Sequence, residues 1–165
     1  MSNEQVRKNT RPKGKRGEHL VAMQFILIFT FIAMPVYPPG ALQAPPEAVR
    51  WAAFGLLGLT AAVFGSLGSK HLKDVLTPLP YPVEHSRLIT TGIYSLVRHP
   101  LYSSQLFLGA GWTIFAWSLS HLLLTAVAFL FFSYKASKEE GWLTLRHPEY
   151  ADYARRVKKF IPFIY

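Results

Sequence analysis

At 165 residues, half of them hydrophobic, 16% charged and none of them cysteine, the chain has the length of one domain. It excludes a disulfide framework, a thiol nucleophile and a Cys metal site. The net charge of +9 does not point to nucleic acid, because the Lys and Arg fall in segments that alternate with apolar blocks of membrane length; the class expected is all-α integral membrane.

Residues 1–18 make a basic tail holding Arg7, Lys8, Arg11, Lys13, Lys15 and Arg16. The apolar run after it is expected to be an uncleaved first span, about His19 to Val36, since Pro35, Pro38 and Pro39 follow it without a small-x-small cleavage site. A second span is expected at about Ala48 to Leu67, so that the two occupy residues 19–68. Its Gly55, Gly58, Ala61, Ala62 and Gly65 would let neighbouring backbones approach closely in lipid.

Residues 70–101 read as a cytoplasmic connector. Thr77-Pro78-Leu79-Pro80-Tyr81-Pro82 forbids a regular helix and favours a stiff, extended path, either a plain linker or a strand lying along a pocket. The connector closes on Gly92-Ile93-Tyr94 and Arg98-His99-Pro100-Leu101-Tyr102. Pro100 suits the first turn of a helix. Free amides at that helix start, with Arg98 beside them, would favour a carboxylate or phosphate. Interfacial anchoring by Arg, His and Tyr is the alternative use of the same residues.

From Tyr102 to Tyr134 no Asp, Glu, Lys or Arg occurs. One helix of that length would reach about 50 Å against a hydrocarbon core of about 30 Å, so the run must fold back. A tight turn at Ser118, Ser120 and His121 would divide residues 102–134 into an antiparallel hairpin. Four spans then put every basic segment on one side, with both termini cytoplasmic.

Residues 135–165 begin with Lys135, Lys138, Glu139 and Glu140, where the hairpin returns towards Arg98 and His99; Lys135, four residues before Glu139 on the same helical face, suggests a solvated, charge-paired helix end. The basic, aromatic stretch from Glu149 to Pro162 reads as an amphipathic helix on anionic headgroups, or else as a cover for the site. No Walker loop, dinucleotide glycine fingerprint, His-Glu-x-x-His or serine elbow occurs.

Taken in order, Gly92 and Tyr94, Arg98-His99-Pro100 with Tyr102, Glu139-Glu140 with Leu143, Tyr150, Tyr153 and Pro162 resemble the isoprenylcysteine carboxyl methyltransferases and the related small phospholipid methyltransferases. The resemblance spans about residues 75–165. It implies a multi-span membrane enzyme using S-adenosylmethionine on a lipophilic acceptor, with the bilayer as partner and neither nucleic acid nor metal. It further implies cofactor contacts at Ser86, Arg87, Leu88, Ile89, Tyr94, His99, Pro100, Leu101, Tyr102, Glu139 and Glu140. Arg98 and Lys135 are the candidate catalytic cations. Lys135 falls where the family has a substrate-addressing Arg; it keeps the charge and loses the two-pronged grip on a carboxylate. Ser104 and His147-Pro148 also depart from the family pattern. The expected location is a bacterial inner membrane. A membrane reductase of the sterol-reductase type, using NADPH through Arg155, Arg156, Lys158 and Lys159, and a non-enzymatic scaffold are the competing classes.

Overall fold

A computed structural model describes residues 17–71 and 88–165. It contains helices α1 (Glu18–Ala33), α2 (Glu47–His71), α3 (Pro100–Ala116), α4 (Leu119–Arg146) and α5 (Tyr150–Arg156), with a 3₁₀ turn at Gly92–Ser95. No strand occurs among the described residues, only an isolated parallel bridge between Val97 and Lys158. By length and composition α2 and α4 are apolar enough to cross a membrane, while α1 is apolar but shorter.

The first span ends earlier than expected. Pro35 bars the helical region to the residue before it, and Met34 is extended at ψ 127°. Outward-facing Phe25, Ile26, Phe29 and Ile32 are exposed, while Leu20 and Leu27 turn inward to Phe131, Phe132 and Ala136 of α4.

The hairpin turn lies slightly before its expected place. Trp117 takes the left-handed conformation, φ 47°, and Ser118 caps α4 by accepting from the His121 amide. His121 itself is buried inside α4, its Nδ1 2.8 Å from Ser118 Oγ. At this end the loop after α1 docks on the turn, with Leu119 N donating to Tyr37 O and Ser120 Oγ to Pro35 O, both at 2.8 Å. At the other end Leu20 meets Ala136 and Gly68 lies against Pro100. The four long helices therefore run up-down-up-down.

The most extensive packing joins α2 to α3. Gly111 and Gly68 permit it: a Cβ at Gly111 would stand 3.1 Å from Leu57 Cβ, and one at Gly68 would stand 3.2 Å from both Leu101 and Pro100. Gly55 and Gly58, grouped with the packing residues on sequence grounds, have nothing within 4 Å of where their Cβ would be. Spacing alone does not say which side of α2 meets the neighbour. Gly111→Val is accordingly expected to lower stability by about 1–3 kcal/mol through overpacking, whereas Gly58→Ala leaves it unchanged or raises it slightly. Thermal unfolding of the two purified variants checks the contrast.

Candidate functional site

The site begins with a glycine. Gly92 has φ 63°, a conformation that glycine adopts without a Cβ penalty, and the 3₁₀ turn it opens tucks Ile93 and Tyr94 into the core. Val97, fully buried, then runs beside the C-terminal segment: Arg98 N donates to Lys158 O at 2.8 Å and His99 N to Lys159 O at 3.1 Å. Pro100 starts α3 immediately afterwards.

This commits to the tail the Arg98 cation expected to stand free beside the start of α3. The amides of Arg98 and His99 are given to the tail, and so is the Arg98 guanidinium: Nη1 donates to Ala154 O at 2.8 Å and to Val157 O, while Nε pairs with Glu140 Oε1 at 2.9 Å. Arg98 clamps the tail onto α4.

His99 stands between the two acids. Its Nδ1 is 3.4 Å from Glu139 Oε2 and its Nε2 is 2.9 Å from Glu140 Oε1. An imidazole can donate from both nitrogens only when protonated. Burial works against that charge, but hydrogen bonds to Glu139 and Glu140 and their negative charges outweigh it, so the His99 pKa is raised. The contribution of this pairing to stability is therefore complete below the ordinary histidine value of about 6.5, and it fades as pH rises through the elevated one. In a histidine NMR titration one resonance, absent from His99→Asn, is expected to stay protonated above the ordinary range. A normal titration of that resonance would remove the pairing.

Tyr102 extends the cluster into the helices. Its Oη donates to Glu139 Oε1, and its ring stacks on His99 at 5.6 Å and on Phe132 at 4.9 Å. Lys135, only 1% exposed, holds its Nζ 5.2 Å from the Tyr102 ring centroid. The spacing suggested a Lys135–Glu139 pair at a solvated helix end. Instead Lys135 Nζ donates to Gln24 Oε1 of α1 at 2.6 Å. Lys159 pairs with Glu140 Oε2 at 3.7 Å and donates to Ser137 Oγ at 3.1 Å.

The tail departs from the amphipathic, headgroup-bound helix that its composition suggested. Only seven residues are helical, and Tyr150, Tyr153 and Phe160 are buried. Tyr153 Oη donates to Tyr94 O at 2.6 Å and Ser103 Oγ to Phe160 O at 2.8 Å. Burial keeps the Tyr153 phenol above its ordinary pKa, so it stays a neutral donor. The aromatic side chains find apolar partners and the strand-like backbone finds donors, and the tail closes over the site.

Among the residues singled out by sequence, Arg98, His99, Tyr102, Glu139 and Glu140 come together, with Lys135 under Tyr102. Ile89, Tyr94, Pro100 and Leu101 pack beside it: Ile89 joins the Phe64–Ile93–Tyr94–Val97 cluster, Tyr94 Oη points to Gly68 O at 3.4 Å, and Pro100 and Leu101 press on Gly68. Leu88 is half-buried. Ser86 and Arg87 lie outside the described residues. Sequence reading missed Gln24 and Gln105, whose signal was a lone amide in each of two apolar helices; such groups are costly in lipid unless they find partners.

Beside this cluster lies an apolar cleft of about 240 Å³ between α1, α3 and α4, with Leu27, Phe31, Leu106, Leu124 and Phe132 in its wall together with Gln24 and Gln105. Among the described residues no group of three or more His, Cys, Asp or Glu could hold a metal ion.

Residues 51–151 match the family model described as phospholipid methyltransferase. The chain is 28% identical over 160 residues to protein-S-isoprenylcysteine O-methyltransferase B of Arabidopsis thaliana, covering 90% of this chain and 76% of the relative. It is 30% identical over 155 residues to a probable protein-S-isoprenylcysteine O-methyltransferase of Oryza sativa subsp. indica, covering 88% and 79%. A shorter match, 38% over 80 residues, covers 48% of this chain and 37% of the cobalt-zinc-cadmium resistance protein CzcN of Cupriavidus metallidurans.

Proposed function

The chain belongs to the phospholipid methyltransferase family, and from that premise we propose that it transfers a methyl group from S-adenosylmethionine to a lipophilic acceptor. The reaction is placed at the cytoplasmic face of a bacterial inner membrane, crossed by α1 to α4 with the basic segments on that face. The carrying observation is the convergence of Arg98, His99 and Tyr102 with Glu139 and Glu140, at the polar ends of two antiparallel helices and beside an apolar cleft.

The residues fit a zwitterionic cofactor. Both signs of charge are present, and the Tyr150 hydroxyl is buried near Arg98 and Glu140. S-adenosylmethionine supplies, when bound, a methyl group on a sulfonium, ready for in-line displacement. The chain's part is alignment and exclusion of water. Glu139 is held by Tyr102 and His99 so that its charge faces a fixed direction, which suits a cationic or hydroxyl-bearing ligand. Glu140 is neutralised by Arg98, His99 and Lys159 and keeps the tail closed. The apolar cleft would receive the acceptor's hydrocarbon from the bilayer. An isoprenyl chain, as in the names of the plant relatives, has the required character.

Incubating the purified protein with methyl-tritiated S-adenosylmethionine and a membrane lipid extract tests this reading. Label is expected in the organic phase, reduced at least tenfold in Lys135→Met. An organic phase without label, from protein that is folded and membrane-inserted, would oppose it.

A further inference from the structure

We propose that residues 160–165 fasten the tail to the bilayer, with Phe163 and Ile164 inserted among the acyl chains of the cytoplasmic leaflet; this rests on the crossing of the membrane by α4 and not on methyl transfer. The segment that closes over the site is then held twice, by Arg98 and the backbone of residues 97–99 before the turn, and by lipid at the turn itself.

The depth of the turn follows from its contacts with α4. Lys159 Nζ donates to Ser137 Oγ at 3.1 Å. One helical turn nearer the apolar run, exposed Tyr134 has its ring 5.3 Å from Lys138 Nζ, and tyrosine with lysine marks the edge of a hydrocarbon layer. From Lys159 the chain runs back along α4. The Tyr165 ring stands 5.3 Å from that of Phe129, and its hydroxyl donates to Ser133 Oγ at 3.5 Å. At about 1.5 Å per residue, Phe129 lies about 7 Å on the apolar side of Tyr134. The stripe that the tail covers, Phe129, Ser133 and Ser137, continues along the same face of α4 into Ala126 and Leu122, which are exposed. The turn therefore sits on a side of the bundle that faces lipid.

Its backbone suits that medium, where an amide without a partner is costly. Phe160 N and Ile161 N both donate to Tyr165 O at 2.7 Å, while Ile164 N and Tyr165 N donate to Ile161 O at 3.1 Å. Pro162 has no amide hydrogen to satisfy. The side chains are not explained from within the protein. The bond from Ile164 N to Ile161 O closes a turn around Pro162 and Phe163, and Phe163 has φ 65°, the place that glycine or asparagine takes in a type II turn. A phenylalanine is unfavourable there, and at 87% exposure it gains little from the protein's own core; Ile164 beside it is 74% exposed. Acyl chains at this depth supply the apolar surroundings that offset the cost.

The chain has no cysteine, so single cysteines can carry a nitroxide on an otherwise unaltered background. Phe163→Cys and Ile164→Cys are compared, in the full-length protein in lipid nanodiscs, with Leu130→Cys on the exposed face of α4 and Arg155→Cys on α5. Relaxation is measured with oxygen, which concentrates among acyl chains, and with a water-soluble nickel chelate. Labels at 163 and 164 are expected to follow the one at 130, with oxygen access exceeding chelate access at least threefold and the order reversed at 155. Should one of the two variants fail to fold, the other decides. Labels that behave as the one at 155, or that are immobilised and shielded from both reagents as beneath a second copy of the chain, overturn the proposal. Phe163→Ser with Ile164→Ser leaves the turn's backbone bonds in place and is expected to speed trypsin cleavage after Lys158 and Lys159 several-fold in nanodiscs; an unchanged rate also overturns it. A label at 130 that reports water strikes at the crossing of the membrane by α4, and the anchor falls with it. Absence of methyl transfer from the tritiated donor leaves the anchor untouched.

Discussion

Arg98→Ala is expected to destabilise the folded protein by about 3–5 kcal/mol and to release its C-terminal segment. The change leaves Glu140, largely buried, with only His99 and Lys159 as cationic partners, and removing one partner of a buried pair is strongly destabilising. It also frees the carbonyls of Ala154 and Val157, both held by the same guanidinium. Arg98→Lys recovers only part of the loss, since a point charge on a flexible stem cannot serve Glu140 and two carbonyls together. Limited trypsin digestion reports the release directly, because the backbone at Lys158 and Lys159 is then freed from its pairing with Arg98 and His99. A variant that unfolds at the wild-type temperature with its tail protected would show that Arg98 is not the clamp.

Glu139→Gln should weaken S-adenosylmethionine binding by roughly 10- to 100-fold, corresponding to about 1.5–3 kcal/mol for hydrogen bonds to a charged group. The amide keeps the shape of the carboxylate and loses its charge. Tyr102→Phe removes the hydroxyl that holds Glu139 and is expected to cost less. In the double variant the two effects should fall short of their sum, because the residues touch. Strict additivity in titrations of the four proteins would mean that Tyr102 does not act through Glu139.

The sequence made the four apolar segments legible and with them the up-down-up-down arrangement, since a 33-residue apolar run cannot cross a bilayer once. It also brought Glu139 back to His99, because an antiparallel hairpin leaves little choice. The tail was misjudged for a physical reason: Tyr150, Tyr153 and Phe160 spaced among basic residues look the same whether the aromatic side chains enter lipid or a protein groove. What decides it is the backbone pairing of Val97–His99 with Lys158–Lys159, a non-local match with no signature in either segment. Lys135 was misplaced likewise. Its spacing to Glu139 is right for a pair on one helix face, yet Gln24, far away in sequence, captures it. Gly55 and Gly58 show the same limit, since composition gives a helix's small residues but not its orientation.

Calorimetric titration of the purified full-length protein with S-adenosylmethionine, with NADPH as comparator and Glu139→Ala as control, tests the central claim most directly. Saturable heat from S-adenosylmethionine alone, lost in the variant, is the result predicted. A folded protein that gives no heat with S-adenosylmethionine, or that responds to NADPH instead, would contradict it.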